Sequence, residues 1–174
     1  MSDLDATDLA ILRHLQGDGR LTNVDLARRV GLSPPACLRR VRALERSGRL
    51  RGYHADVDAA ALGWGVNVFA QVGLSRQAEH DLRAFEALVT GWPQVRECHM
   101  LAGQTDFLLR IVAEDWDTYQ RFLTTNLTAA PNVEHVKSAL VIRSAKVLPG
   151  APVPDRLVAA DGAAGRSRRR LRPD

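Results

Sequence analysis

The sequence predicts an α+β protein with a helical N-terminal domain and a ferredoxin-like C-terminal domain. Residues 1–52 contain three successive helix start signals, whereas residues 65–148 alternate between strand and helix periodicity in the order β-α-β-β-α-β. That order is typical of an antiparallel sheet with both helices on one face. We therefore expect a winged helix-turn-helix domain over 1–52, a linker strand over 53–64, a ferredoxin-like domain over 65–148 and a disordered basic tail over 149–174.

Each of the three N-terminal helices is preceded by a residue suited to an N-cap. Asp5 precedes the first helix, with Asp8 at the spacing of a capping box. Thr22 precedes the second, and Ser33 precedes the third, where Pro34 occupies the first helical position and its missing N–H costs nothing. The apolar residues recur at helical spacing, and the inward stripe of the third helix is predicted to be Cys37, Val41 and Leu44.

The second and third helices are separated by only three residues, Gly31-Leu32-Ser33, which is typical of a helix-turn-helix. Arginines on the outward face of the third helix can contact guanine edges in the major groove, and arginines in a wing over 49–54 can contact phosphates. A helical trio with no DNA role is the alternative. The predicted DNA-binding set is Thr22, Asn23, Ser33, Pro35, Ala36, Arg39, Arg42, Arg49 and Arg51. Ala36, Arg39 and Arg42 are the predicted base readers, and Thr22, Asn23, Arg49 and Arg51 are the predicted phosphate contacts.

Charge is distributed unevenly along the chain. Residues 1–55 carry 10 Arg and 6 acids, residues 56–149 carry 8 basic and 11 acidic residues, and residues 150–174 carry 6 Arg and 3 Asp. Two basic ends around an acidic middle suggest a polyanion partner for the ends, with solvated helix faces as the alternative. Arg40 points to a different side from Arg39, so we expect it to form a structural ion pair or to lie at an interface.

Composition excludes several classes of protein. The chain has 174 residues, of which 45% are hydrophobic and 25% charged, with two cysteines. This balance predicts a globular protein without a disulfide framework. The apolar runs are too short to cross a bilayer, and the acids near Met1 do not suit a signal peptide. We expect a cytoplasmic protein rather than a secreted, membrane or fibrous one.

The C-terminal domain is predicted to leave one face of its sheet without helices. Phe69 lies on the side of the first strand opposite the aliphatic row, so both faces have apolar character. A second copy usually buries such a face, which predicts a homodimer with two recognition helices about one DNA turn apart. The predicted strands cover 66–74, 95–102, 107–112 and 133–142, and the helices cover 79–89 and a segment that follows Asp115.

The sequence contains no catalytic or metal-binding pattern. The five histidines are scattered, and the adjacent pair Cys98-His99 would point to opposite faces of a strand. Cys37 falls on the buried stripe and is predicted to be a core residue. We therefore expect no metal, no cofactor and no enzymatic activity.

The turn at residues 103–106 is a candidate ligand site. Gly103 permits close approach of a ligand to the backbone, exposed amides there can bind a carboxylate, and Asp106 can bind an ammonium group. Together these groups suit the two charged ends of an amino acid. A plain hairpin turn with a turn-stabilising aspartate is the alternative.

The tail combines a Pro-rich and Ala/Gly-rich stretch with five arginines in residues 166–172. That composition predicts disorder. A mobile cationic arm would add salt-sensitive, sequence-independent DNA affinity, and a functionless solubilising end is the alternative.

With these residues in view, the chain resembles the Lrp/AsnC family of amino-acid-responsive transcription regulators, and within it the leucine-responsive branch. The resemblance covers about residues 3–148. It is carried by two motif sets in the expected order. They include Asp18-Gly19-Arg20, Val30-Gly31-Leu32-Ser33-Pro34, Cys37-Leu38-Arg39-Arg40-Val41-Arg42-Ala43-Leu44-Glu45, Glu97-Cys98-His99-Met100 and Gly103-Gln104-Thr105-Asp106-Phe107.

The resemblance implies dimers that assemble into octamers and an amino acid effector bound between dimers. Gln104 and Phe107 replace a frequent acid and a frequent Tyr, so the effector need not be leucine. The tail after 149 has no counterpart in the family pattern. The implied effector residues are Met100, Leu101, Gly103, Gln104, Thr105, Asp106 and Ser138.

Two other functions fit a chain of this kind. Some haem-biosynthesis decarboxylases resemble the same two-domain family, although the basic third helix and scattered histidines argue against that activity. An architectural DNA-compacting protein that ignores small molecules is the other, and the basic tail favours it.

Overall fold

The computed structural model describes residues 4–155. Within this range the chain divides into two compact units, one formed by residues 4–55 with 148–155 and the other by Asp56–Val147. The second unit begins within the predicted linker. The segment 53–64, predicted as a strand, contains a short 3₁₀ helix, Ala60–Leu62, and no strand. A strand needs a neighbour for its N–H and C=O groups, and the sheet of the described residues does not include this segment.

The first unit contains three helices, α1 (Ala6–Gly17), α2 (Asn23–Val30) and α3 (Pro34–Arg46). The predicted capping box at the start of α1 is present. Leu26, Val41 and Leu44 are among the buried residues that join the three helices in one apolar core. The predicted inward stripe of α3 is confirmed, and the segment at 49–54 has no regular secondary structure.

The second unit contains β1 (Val66–Leu74), α4 (Glu79–Thr90), β2 (Val95–Met100), β3 (Phe107–Ala113), α5 (Trp116–Phe122) and β4 (Val133–Leu140). The strands form one antiparallel sheet in the order β2-β3-β1-β4, which confirms the ferredoxin-like arrangement. Alternate residues of β1 and β3 pack with α4 and α5 around Phe85 and Tyr119. Phe69 pairs with Arg110 and Ala139 on the opposite face, as predicted.

Several elements end earlier than the sequence predicts. β2 stops at Met100 rather than 102, and β4 stops at Leu140 rather than 142. The helix capped by Asp115 changes after Phe122 into a π-helical turn, Leu123–Leu127. Thr124 and Thr125 lie in this turn, and the hydroxyl of each donates a hydrogen bond to a backbone carbonyl one turn earlier.

Residues 149–155, predicted to begin a disordered tail, lie against α1. Gln16 and Arg13 hydrogen-bond backbone carbonyls of this segment, and Arg13 forms an ion pair with Asp155. The rest of the predicted tail, 156–174, lies outside the described residues.

Candidate nucleic-acid interface and ligand loop

Two hydrogen bonds hold the turn between α2 and α3. Gly31 adopts a left-handed conformation with φ of 69°, and Leu32 N–H donates to the carbonyl of Ala27 at 2.9 Å. The Asn23 side-chain amide donates to the carbonyl of Pro34 at 2.8 Å, so the first residues of the two helices are joined. The side-chain amide of Asn23, which was predicted to contact phosphate, therefore donates a hydrogen bond within the helix-turn-helix.

The outer face of α3 presents the predicted base-reading arginines. Pro35, Arg39 and Arg42 are exposed and Ala36 is half-buried, whereas Cys37 on the opposite face is fully buried. Neither Arg39 nor Arg42 lies within ion-pair distance of an acid among the described residues. Both guanidinium groups therefore belong to exposed residues of this face.

Arg40 is a structural residue, as its position predicts. Its guanidinium contacts Asp5 at 2.7 Å and Asp8 at 2.8 Å, joining α3 to the start of α1. The hydrogen bond from Asp8 N–H and the bond from Arg40 together hold the pKa of Asp5 below its usual value. The same carboxylates raise the pKa of Arg40, with Asp8 as the larger cause.

The other residues predicted to bind DNA are two helix caps and two loop arginines. Thr22 caps α2, because its hydroxyl accepts from Asp25 N–H at 3.1 Å and donates to the Asp25 carboxylate at 2.6 Å. Ser33 caps α3 by position only, since its side chain makes no capping hydrogen bond. Arg49 and Arg51 lie after α3 in the loop segment.

Tyr53 ties that segment back to α3. Its hydroxyl donates to Glu45 Oε1 at 3.0 Å. Partial burial, together with this bond to a carboxylate, raises the pKa of Tyr53 to about 12. The Tyr53–Glu45 pair was not predicted from the sequence.

The loop between β2 and β3 is closed by its own backbone and by one carboxylate. Leu101 N–H donates to the carbonyl of Asp106 at 2.8 Å, and Asp106 N–H donates to the carbonyl of Val72 at 3.0 Å. Asp106 Oδ2 accepts from Leu74 N–H at 2.7 Å. Asp106 is therefore a turn-stabilising residue, and the bond to Leu74 uses only one of its two carboxylate oxygens.

The loop presents polar and apolar groups to its surroundings. Gly103 and Gln104 are exposed and Thr105 is half-buried, and a Cβ added at Gly103 would meet nothing within 4 Å. Met100 and Leu101 are exposed by 60% and 38%, so apolar surface lies beside the exposed backbone.

Ser138 does not lie beside this loop within one chain. It lies on β4, where it pairs with Ala70 of β1, and β1 separates β4 from β3 and the loop that precedes β3. Its hydroxyl hydrogen-bonds Tyr119 at 2.5 Å. Burial raises the pKa of Tyr119, and the bond to Ser138 opposes that shift.

Asn132 shapes the same end of β1 and was not predicted as a site residue. It has a φ of 68°, its Oδ1 accepts from Ser75 Oγ at 2.7 Å and from Arg76 N–H at 2.9 Å, and its amide donates to the Arg76 carbonyl at 2.7 Å. Asparagine after Pro131 is a turn signal, because asparagine tolerates positive φ.

Metal ligation and membrane insertion find no support in residues 4–155. Within that range, no group of three or more His, Cys, Asp or Glu is placed to hold a metal ion. No helix of the same described residues has the length and apolar character needed to cross a membrane.

Comparison with known proteins assigns both units. Residues 4–51 match the model of a winged helix-turn-helix DNA-binding domain, and residues 67–150 match the Lrp/AsnC ligand binding domain. A leucine-responsive regulatory protein from Rhizobium meliloti is 51% identical over 144 residues, covering 83% of this chain and 92% of that protein. The chain belongs to the Lrp/AsnC family.

Other relatives of this Lrp/AsnC protein are also transcription regulators. A Bkd operon transcriptional regulator from Pseudomonas aeruginosa is 42% identical over 153 residues, or 88% of this chain and all of that one. The crystal structure of a transcriptional regulator from Neisseria meningitidis in complex with L-Met has a TM-score of 0.81 and 38% identity, covering 86% of this chain and 97% of that chain. These relatives are transcription regulators rather than enzymes.

Proposed function

We propose that this chain is a sequence-specific transcription regulator whose DNA binding is changed by a small amino acid. The observation that carries the proposal is the exposed face of α3, on which Arg39 and Arg42 lie opposite a fully buried stripe. Family membership supports the same function. We expect the protein to act in the cytoplasm, where its DNA target is available.

DNA is bound with α3 in the major groove. Arg39 and Arg42 read guanine edges, and Pro35 and Ala36 pack against base edges near the start of the helix. The exposed hydroxyl of Ser33 suits a phosphate. The remaining phosphate contacts come from the backbone at Thr22 and Asn23 and from Arg49 and Arg51. The side-chain amide of Asn23 joins α2 to α3 and is not one of the phosphate contacts.

The effector binds at the loop between β2 and β3. Backbone amides near Gly103 bind its carboxylate, and the second oxygen of Asp106 binds its ammonium group. Gln104 and Thr105 offer further polar contacts. The exposed Met100 and Leu101 favour an aliphatic side chain. Leucine and methionine fit this chemistry, and the names of the R. meliloti and N. meningitidis relatives point to the same two amino acids.

The chains assemble through the helix-free face of the sheet. The helix-free face of the sheet carries Phe69 and Leu108, both half-buried in one chain, and a second copy buries them in a homodimer. Dimers associate further into octamers with the effector between them. Ser138 belongs to the effector site only if a second copy brings it there, because β1 separates its strand from the loop within one chain.

Binding to the region upstream of the protein's own gene tests the DNA function. The wild type and Arg39→Ala are titrated onto that DNA and onto a random duplex of equal length at one salt concentration. We expect the wild type to prefer the upstream DNA and the variant to lose that preference. Equal wild-type affinity for both duplexes would favour an architectural protein. Light scattering with and without leucine or methionine tests the assembly.

A further inference from the structure

One side chain of α1 holds a turn in the chain that follows the sheet. Gln16 Nε2 donates to the carbonyl of Pro149 at 3.0 Å and to the carbonyl of Ala151 at 2.8 Å. A primary amide has two N–H groups, so one nitrogen can serve both acceptors. Gly150 between them adopts a left-handed conformation with φ of 61°, and a Cβ added there would lie 3.2 Å from the Gln16 nitrogen. The turn therefore requires glycine, both for its backbone and for the close approach of Gln16.

Two further contacts hold the chain after this turn. Val153 is half-buried and lines one groove together with Leu12 of α1. Arg13, on the same helix, donates to the carbonyl of Pro154 at 3.1 Å. We call residues 149–155 the C-terminal strap. Its three prolines restrict the backbone, so less conformational entropy is lost when the strap lies along α1.

The strap gives the first unit a second connection to the rest of the chain. The first unit contains residues 4–55 and 148–155, so the chain leaves it before Asp56 and re-enters it after Val147. The first connection, at 53–64, contains one short 3₁₀ helix and no strand. Without the contacts to α1, the chain after β4 would not be tied to the first unit. A unit held by two connections has fewer orientations open to it than a unit held by one.

We propose that the strap is a tether that limits the orientations of the helix-turn-helix relative to the second unit, with Gln16 as its positioning residue. The consequence for DNA rests on the proposed function. A dimer that binds two half-sites must place both α3 helices in the major groove at a fixed spacing. If fewer orientations are open beforehand, less entropy is lost when both helices bind, and the tether strengthens binding to two half-sites. Binding of one helix to one half-site does not depend on the orientation of the other.

Two substitutions release the strap without changing the charge of the protein. Gln16→Met removes both N–H donors at nearly the same side-chain length. Gly150→Ala strains the turn and places a Cβ against the Gln16 nitrogen. The matched controls are Gln77→Met, at an exposed glutamine of the second unit, and Gly17→Ala, where an added Cβ meets nothing within 4 Å.

NMR relaxation of the backbone amides of Gly150 and Ala151 tests the tether in the absence of DNA. We expect order parameters of about 0.85 in the wild type and in both controls, and values below about 0.6 in Gln16→Met and Gly150→Ala. Values below about 0.6 in the wild type would overturn the tether. Wild-type values in both variants would overturn the role of Gln16.

DNA with two half-sites, located by footprinting on the upstream DNA, tests the orientation of the helices. It is compared with the same duplex in which one half-site is scrambled. We expect Gln16→Met and Gly150→Ala to weaken binding to the two-site duplex by about threefold or more and to leave binding to the one-site duplex unchanged. Unchanged affinity for the two-site duplex would overturn the proposal. An equal loss on both duplexes would also overturn it, because the substitutions would then weaken the helix-turn-helix itself.

Failure of the proposed function gives a different result. In that case the wild type would not prefer the two-site duplex over random DNA. The order parameters of the strap would still separate the wild type from Gln16→Met.

Discussion

Asp106 Oδ2 accepts a hydrogen bond from Leu74 N–H at 2.7 Å, which joins the loop after β2 to the end of β1. Asp106 N–H also donates to the carbonyl of Val72. The bond to a carboxylate is of the charge-assisted kind and stronger than a neutral one. The loop proposed to bind the effector is therefore held in place before any ligand arrives.

Replacing Asp106 with Ala should loosen the loop. Leu74 N–H loses its acceptor, and we expect a loss of about 1–2 kcal/mol in the free energy of unfolding together with weaker effector binding. Hydrogen exchange at the Leu74 amide, followed by NMR, measures the effect directly. Gln104→Ala is the control, since it changes an exposed loop residue and keeps the bond. Unchanged exchange at Leu74 in Asp106→Ala would show that the bond does not hold the loop.

Arg39→Ala should reduce discrimination between operator and random DNA by about 1–3 kcal/mol, because a bidentate contact with guanine is lost. Arg46→Ala removes the same charge from the exposed last turn of α3 and should weaken both complexes equally. Titration of both duplexes at one salt concentration gives the comparison. If Arg39→Ala also weakens both complexes equally, Arg39 contacts phosphate rather than bases.

Arg40→Ala should destabilise the first unit by about 1 kcal/mol near neutral pH, since two partly exposed ion pairs are lost. The pKa of Asp5 is lowered in the folded state. The stability that this carboxylate contributes is therefore complete above its ordinary value of 3.8 and is lost as the pH falls below it. Urea unfolding at several pH values should show the gap between wild type and variant narrowing in acid. Arg42 lies on the same helix and forms no ion pair within residues 4–155, so Arg42→Ala should unfold as the wild type does.

Neither tyrosine should ionise near pH 10 while the protein is folded. Burial and the bond to Glu45 raise the pKa of Tyr53 to about 12, and burial raises that of Tyr119. Because the neutral form is favoured, the stability contributed by Tyr53 is present below pH 10 and is lost as the pH rises through about 12. Tyrosinate absorbance in an alkaline titration measures this, and Tyr53→Phe removes one transition. Ionisation near pH 10 of the tyrosine whose transition Tyr53→Phe removes would contradict the Tyr53–Glu45 contact.

Helix starts and strand alternation could be predicted from the sequence because they depend on residues close together in the chain. Asp5 and Asp8 are three residues apart, and their capping box forms as predicted. The linker strand predicted at 53–64 is not formed. A strand needs a hydrogen-bonding neighbour, and the local sequence does not show whether one lies beside it.

Site residues were predicted less completely for the same reason. The bond from Asn23 to Pro34 spans 11 positions, and the bond from Leu74 to Asp106 spans 32. Spacing arguments do not identify either bonding partner, and the bonds give Asn23 and Asp106 structural roles beside the ligand-binding roles predicted for them. The position of Arg40 was predictable, since its angle on the helix already separated it from Arg39.

The most direct test of ligand-gated regulation measures affinity for the upstream DNA at fixed salt with and without each amino acid. An effector can change the affinity only if it binds one state of the protein better than another. We expect a severalfold shift with one aliphatic amino acid, and loss of that shift in Asp106→Ala. Operator binding that no amino acid changes would contradict a ligand-gated regulator.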